Sequence, residues 1–283
     1  MLEALGQMLS YPFMVRALAV GIPVALCAAL LGVSLVLKRF SMIGDGLSHV
    51  GFGALAVATV LNAAPTAVAV PVVVAAAFLL LRMSEKNHVR GDAAIALISA
   101  GSLALGVMAV SLSGGTNVDV MNYMFGSILA LSKADVLLSA VLCGAILVLY
   151  AVFYPLIFSI TFDENFAGAT GTPTKLCNML LAAMTAVTVV MGMRLMGALL
   201  ISSLIIFPSL SAMRVFKSFR AVVICSGALA VGGFAVGLAL SYLFSTPTGA
   251  GVVCVDAVIF GILALIGFIK SRRRGKRRAD GEN

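Results

Sequence analysis

The sequence predicts an all-α, polytopic membrane protein with about nine transmembrane helices. Three observations carry that prediction. Of 283 residues, 61% are hydrophobic and only 11% charged, where a soluble domain carries about 25% charged residues. Mean hydropathy is +1.14. Apolar runs of membrane-spanning length recur from one end of the chain to the other, too many and too long for the core of a soluble domain.

The runs fall at 15–37, 46–62, 65–81, 93–112, 136–158, 177–193, 197–213, 221–244 and 250–269. The first ends in Lys38-Arg39 and lacks a small-residue cleavage site, so it is expected to stay as a helix rather than leave as a signal peptide. Several of the others are short for a span, a feature common in transporters where helices line a polar path. The segment from Val120 to Leu131 is apolar but too short to cross, and is expected to be re-entrant or interfacial, which also admits a count of eight spans plus that segment. Residues 177–213 read either as one kinked helix or as two helices reversing between Gly192 and Gly197. Lys175 and Arg214 belong on the same side, which favours the reversal.

Charge sets the orientation. Lys38, Arg39, Arg82, Lys86, Arg90, Lys175, Arg214, Lys217, Arg220, Lys270 and the tail Arg272-Arg273-Arg274-Gly275-Lys276-Arg277-Arg278 fall on one side of a nine-span chain, and only Arg16, Lys133 and Arg194 on the other. The positive-inside rule then places the N-terminus outside and the C-terminus in the cytoplasm. The organisation expected is one membrane domain over 1–270, with a cytoplasmic loop at 159–176 and a basic tail at 271–283 suited to anionic lipid. The net charge of +8 follows this topology, so no nucleic-acid partner is expected. The five cysteines, at 27, 143, 177, 225 and 254, form no C-x-x-C pair and read as packing residues.

The residues that carry chemistry are few. Asp45 and His49 lie four apart in Gly44-Asp45-Gly46-Leu47-Ser48-His49, on one helix face, and offer an oxygen and a nitrogen to a divalent transition metal. A carboxylate among lipid-compatible residues costs about 2.5–3.5 kcal/mol on insertion, and a cation is the simplest thing to offset it. His49 must be neutral to coordinate, so metal and proton compete there. Ser48 stands beside them as a further candidate for the path. Asp256, inside the last apolar run, reads equally as a second pathway ligand, an ion-pair partner of Arg194, or a hydrogen-bonded packing residue. Ser202, Ser203 and Ser209 sit in a helix that Pro208 should break; small-residue packing is the favoured reading and a polar pathway wall the other. In the loop at 159–176, Asp163-Glu164 should begin a short helix that Gly171-Thr172-Pro173 ends, with Phe162 and Phe166 on one apolar face. His88 and the 14 methionines suggest no site.

Taken in order, several motifs resemble the membrane permease of bacterial zinc/manganese-type ABC importers. They are Tyr11-Pro12-Phe13, Gly32-Val33…Leu37-Lys38-Arg39, Gly44-Asp45-x-x-Ser48-His49, Phe162-Asp163…Phe166-Ala167…Gly171, Gly197 to Pro208, and Pro247-Thr248-Gly249. The resemblance implies a multi-pass protein of the bacterial plasma (inner) membrane and a homodimer. It also implies two cytoplasmic ATP-binding subunits and an extracellular or periplasmic metal-binding protein that delivers cargo. The loop residues Asp163, Glu164, Phe166 and Gly171 would then dock the ATPase. No cofactor is implied, only a transported ion: imidazole suits zinc, which places it ahead of manganese and ferrous iron. The chain has no G-x-x-x-x-G-K-[ST] phosphate loop, in keeping with a non-enzymatic permease whose ATPase is a separate polypeptide. The family pattern has a small helix former where this chain has Gly46, so a loosened helix is expected just after Asp45. The competing readings are a siderophore or cobalamin permease, an ATP-independent metal carrier, and an intramembrane aspartyl protease built on Asp45 and Asp256. The last would need glycine at 42, where this chain has Met42.

Overall fold

A computed structural model describes residues 10–85, 91–112 and 133–279. Among them are eleven helices: α1 (Pro12–Leu37), α2 (Ile43–Val60), α3 (Pro65–Glu85), α4 (Gly91–Leu112), α5 (Lys133–Val152), α6 (Tyr154–Phe162), α7 (Glu164–Ala169), α8 (Thr174–Met196), α9 (Ala198–Val215), α10 (Phe219–Phe244) and α11 (Thr248–Ala279). All but α6 and α7 are long and apolar enough to cross a membrane, which gives nine candidate spans among the described residues. The segment from Val120 to Leu131 and His88 lie outside the described residues. Helix α11 runs on past the apolar run into the basic tail.

Two layers of packing organise the bundle. Helix α1 is central, touching α5, α8, α9 and α10. Helix α2 is enclosed by α3, α4, α8 and α9, and α11 closes the other side against α9 and α10. Small residues set the closest approaches. A Cβ on Gly32 of α1 would lie 2.1 Å from the Ile205 carbonyl oxygen of α9, and one on Gly53 of α2 would lie 2.5 Å from the Ser102 carbonyl oxygen of α4. Backbones meet at these points because nothing stands between them. The outward faces of α4 and α11 are apolar and exposed, as at Leu97, Leu105, Val258 and Ile262, which is the composition a lipid-facing surface requires.

Two polar clusters mark opposite ends of the bundle. At one end the Lys38 ammonium, just past α1, donates to Glu164 of α7 and Asn178 of α8. At the other, Arg194 near the end of α8 pairs with Asp135 of α5 at 3.2 Å and donates to the Thr66 hydroxyl of α3 at 2.9 Å. Helix α8 carries Asn178 in the first cluster and Arg194 in the second, so it runs from one end of the bundle to the other.

The short connections are hydrogen-bonded. After α1, Arg39 adopts a left-handed φ of 64°. Its amide donates to the Val36 carbonyl and the Phe40 amide to the Leu35 carbonyl, the paired bonds of a Schellman stop. The same pattern recurs after α2, with Asn62 at φ 51°, and after α7, with Gly171 at φ 87°.

Four local expectations need correction. The run 136–158 is not one span: α5 stops at Val152 and α6 begins at Tyr154, because Pro155 fits only the first turn of a new helix. Gly192 does not flank the reversal; it lies inside α8, and the turn is made at Gly197 alone, φ 94° and ψ 154°. Pro208 does not break α9, which continues to Val215; in a lipid-like setting an unbroken helix satisfies every other backbone group. Phe162 does not share a helix with Phe166. It ends α6 and packs on Phe158 and Phe219, while Asp163, in extended conformation, separates the two helices.

Candidate functional site

Helix α2 starts one Schellman turn after α1, so Asp45 falls in its first turn and His49 in its second. The helix is regular through Gly46, against the loosening expected there. The missing side chain at Gly46 lets Ile95 of α4 approach, as the one at Gly44 admits Ile205 and the one at Gly51 admits Met193. Three neighbouring helices thus press on α2. From Ile43 to Phe52 every residue is buried except Asp45 and His49. They form a single open polar stripe, with side chains 44% and 28% exposed.

The Asp45 Oδ2 and His49 Nε2 atoms stand 3.7 Å apart, too far for a direct hydrogen bond. Two ligands about 2.1 Å from a tetrahedral ion are about 3.4 Å apart, so the pair is spaced to share a cation with little movement. The first-turn position also places the carboxylate at the positive end of the helix dipole. Ser48 is turned away: it is buried, and its hydroxyl donates to the Asp45 carbonyl at 2.7 Å. Among the described residues no three His, Cys, Asp or Glu side chains gather into one metal-binding group, so one chain offers a transition metal only two side-chain ligands here.

The other predicted residues are not brought to this pair. Asp256 is buried on α11, its Oδ1 near Gly233 of α10 and its Oδ2 without a hydrogen-bond partner among the described residues. It forms no ion pair with Arg194, which pairs with Asp135 instead. It also does not stand beside Asp45, as a protease dyad would require. Ser202 and Ser203 each donate back to their own helix, to the Ala198 and Leu200 carbonyls. Ser209 donates to Ile205 and reaches the Ala29 carbonyl of α1 and Ser226 of α10, the interhelical packing role.

In the loop segment, Asp163 caps α7 by accepting from the Phe166 amide at 2.9 Å, and Gly171 supplies the left-handed stop. Phe166 is 64% exposed, whereas Ala167 is buried against Ile160 and Cys177. Glu164 turns toward the bundle: its Oε2 accepts from Lys38 at 2.9 Å and its Oε1 from Asn178 at 2.7 Å. In the sequence Lys38 stands out as a topology charge and as part of the Gly32…Arg39 motif, and nothing marks Asn178.

The pattern that defines the ABC 3 transport family matches residues 10–267. The chain belongs to that family. Within it, the chain is 30% identical to the high-affinity zinc uptake system membrane protein ZnuB of Haemophilus influenzae, over 86% of this chain and 94% of that one. It is 26% identical to the manganese transport system membrane protein MntC of Halalkalibacterium halodurans, over 96% and 94%. Among solved structures it resembles PsaBC from Streptococcus pneumoniae in complex with Fab, with a TM-score of 0.82 and 26% identity over 92% of this chain and 94% of that one. With nine candidate spans among the described residues and membership of this family, the chain is a multi-pass membrane protein.

Proposed function

We propose that this chain is the membrane permease of an ABC importer that carries a divalent transition metal, manganese or zinc, into the cytoplasm. The observation that carries the reading is the Asp45–His49 stripe, the polar opening in the otherwise buried stretch from Ile43 to Phe52. Family membership and the manganese and zinc relatives support the cargo class. Two side-chain ligands per chain favour a homodimer in which two copies of the stripe face one ion, giving the four ligands a tetrahedral site needs. A transit site must also release its ion, and open, half-exposed ligands suit that better than a closed cage.

The remaining parts follow from the same reading. ATP is bound and hydrolysed on separate cytoplasmic subunits that meet the α7 segment, and a delivery protein supplies the ion from outside. The end marked by Lys38 and Glu164 is cytoplasmic, and alternating access moves the ion past Asp45 and His49. The permease itself makes and breaks no covalent bond.

The test is ATP-dependent uptake by the reconstituted complex, with zinc, manganese and ferrous iron supplied separately. Asp45→Ala and His49→Ala should each lower uptake of the cognate metal by at least about tenfold, with ATPase assembly retained. Unchanged uptake in both variants would make the pair structural.

A further inference from the structure

Lys38, Glu164 and Asn178 form a closed ring of three hydrogen bonds. The Lys38 ammonium donates to Glu164 Oε2 at 2.9 Å and to Asn178 Oδ1 at 2.6 Å, and Asn178 Nδ2 donates to Glu164 Oε1 at 2.7 Å. Both carboxylate oxygens are engaged, and the lysine side chain is only 11% exposed. Charge-assisted bonds of this length are the strong ones. The ring joins the end of α1 to the short helix α7 and the start of α8, which lie 126 and 140 positions further along the chain.

Two features make the ring more than a brace. The first is what lies beyond Lys38. The Schellman stop at Arg39 and Phe40 leads to a bond from the Ile43 amide to the Phe40 carbonyl at 3.0 Å, and α2 begins there. A short hydrogen-bonded turn therefore connects Lys38 to the helix turn that holds Asp45. The second is the space beside it. A cavity of about 430 Å³ is lined by Leu35, Phe40 and Ile43 on the turn's side, and by Phe162 and Glu164 on the other. The turn has room to shift, and α7 has an outward face, Phe166, opposite the inward face that carries Glu164 and Ala167.

We propose that Lys38, Glu164 and Asn178 are positioning residues that couple α7 to the Asp45–His49 helix: a displacement of α7 pulls Lys38 through Glu164, and the stiff turn carries it to α2. The inference rests on the reading above that the Phe166 face meets a partner ATPase. The ring is open on the Glu164 side, whose side chain is 42% exposed, and retained ATPase and hydrolysis in the variants distinguish uncoupling from unfolding.

The test uses the permease co-expressed with its ATPase subunit, in a Met42→Cys background. Met42 is exposed and directly precedes α2, so its labelling by a thiol reagent, read by peptide mass spectrometry, reports movement of that helix start without reference to cargo. Three quantities are read: ATPase co-purification, ATP hydrolysis, and manganese or zinc uptake per ATP. Lys38→Met should retain the ATPase and keep hydrolysis within about twofold, yet lower uptake per ATP by about tenfold, a common size for a coupling between sites. It should also abolish the ATP-dependent change in labelling at position 42. Asn178→Ala should do the same in part, and the exchanged pair Lys38→Glu with Glu164→Lys should restore both signals.

Uptake per ATP and labelling that match the parent in Lys38→Met would overturn the coupling. Loss of the ATPase from both Lys38→Met and Asn178→Ala would also overturn it, making the ring a docking brace. Phe166→Ala separates the two levels of inference. It should strip the ATPase from the complex, and retention of the ATPase there would defeat the docking reading itself.

Discussion

Single residues decide how closely this bundle packs. A Cβ on Gly32 would stand 2.1 Å from a backbone carbonyl of α9, which no rotamer change can relieve. Gly32→Ala should therefore force α1 and α9 apart and cost about 1–3 kcal/mol, seen as a lower unfolding midpoint in detergent. Gly101 of α4 has nothing within 4 Å of its would-be Cβ. Gly101→Ala should leave the midpoint unchanged or raise it by the helix-propensity gain of up to about 1 kcal/mol. At this scale the sequence was only partly legible. Asp45 and His49 stand out because two ionisable groups at ligand spacing are conspicuous in an apolar run. Glu164 and Lys38 are separated by 126 positions, and no local pattern announces that they meet. Asp256 is conspicuous as a lone carboxylate in an apolar run, yet its Oδ1 lies near Gly233, and a single position does not say which neighbour a side chain will face.

Among the elements, the spans were legible because apolar runs translate directly into helices where water cannot satisfy the backbone. Their ends and breaks were less so. Pro155 and Pro208 look alike in sequence, but one opens a new helix after a kink and the other is absorbed in an unbroken one. What separates them is tertiary packing: the residue after Pro208, Ser209, is buried and bonded to α1 and α10. The reversal between α8 and α9 depends on a single residue. Gly197 takes φ 94° and ψ 154°, a region that essentially only glycine occupies. Gly197→Ala should cost about 1–3 kcal/mol and loosen the contact between Gly192 and Ile201, measurable as a lower midpoint and faster proteolysis at that turn.

At the scale of the whole molecule, the proposed orientation can be read from either polar cluster. Ala64, between α2 and α3, and Asn165, on α7, are both exposed and belong to opposite ends. In intact cells a membrane-impermeant thiol reagent should label Ala64→Cys and leave Asn165→Cys unlabelled until the membrane is opened. Peptide-level detection keeps the five native cysteines from interfering. The reverse pattern would invert the molecule and move the α7 segment away from any cytoplasmic ATPase.

The lengths of the helices carry one more consequence. Helix α2 has 18 residues and α10 has 26, rises of about 27 Å and 39 Å, whereas the hydrocarbon core is about 30 Å thick. The long helix exceeds that core and meets it by tilting or by reaching past it, so its fit depends on the lipid. The short one is screened from lipid by four neighbours and has no thickness to match. Bilayers of longer or shorter acyl chains should thus change how the long helix sits while leaving the spacing of Asp45 and His49 to the protein alone.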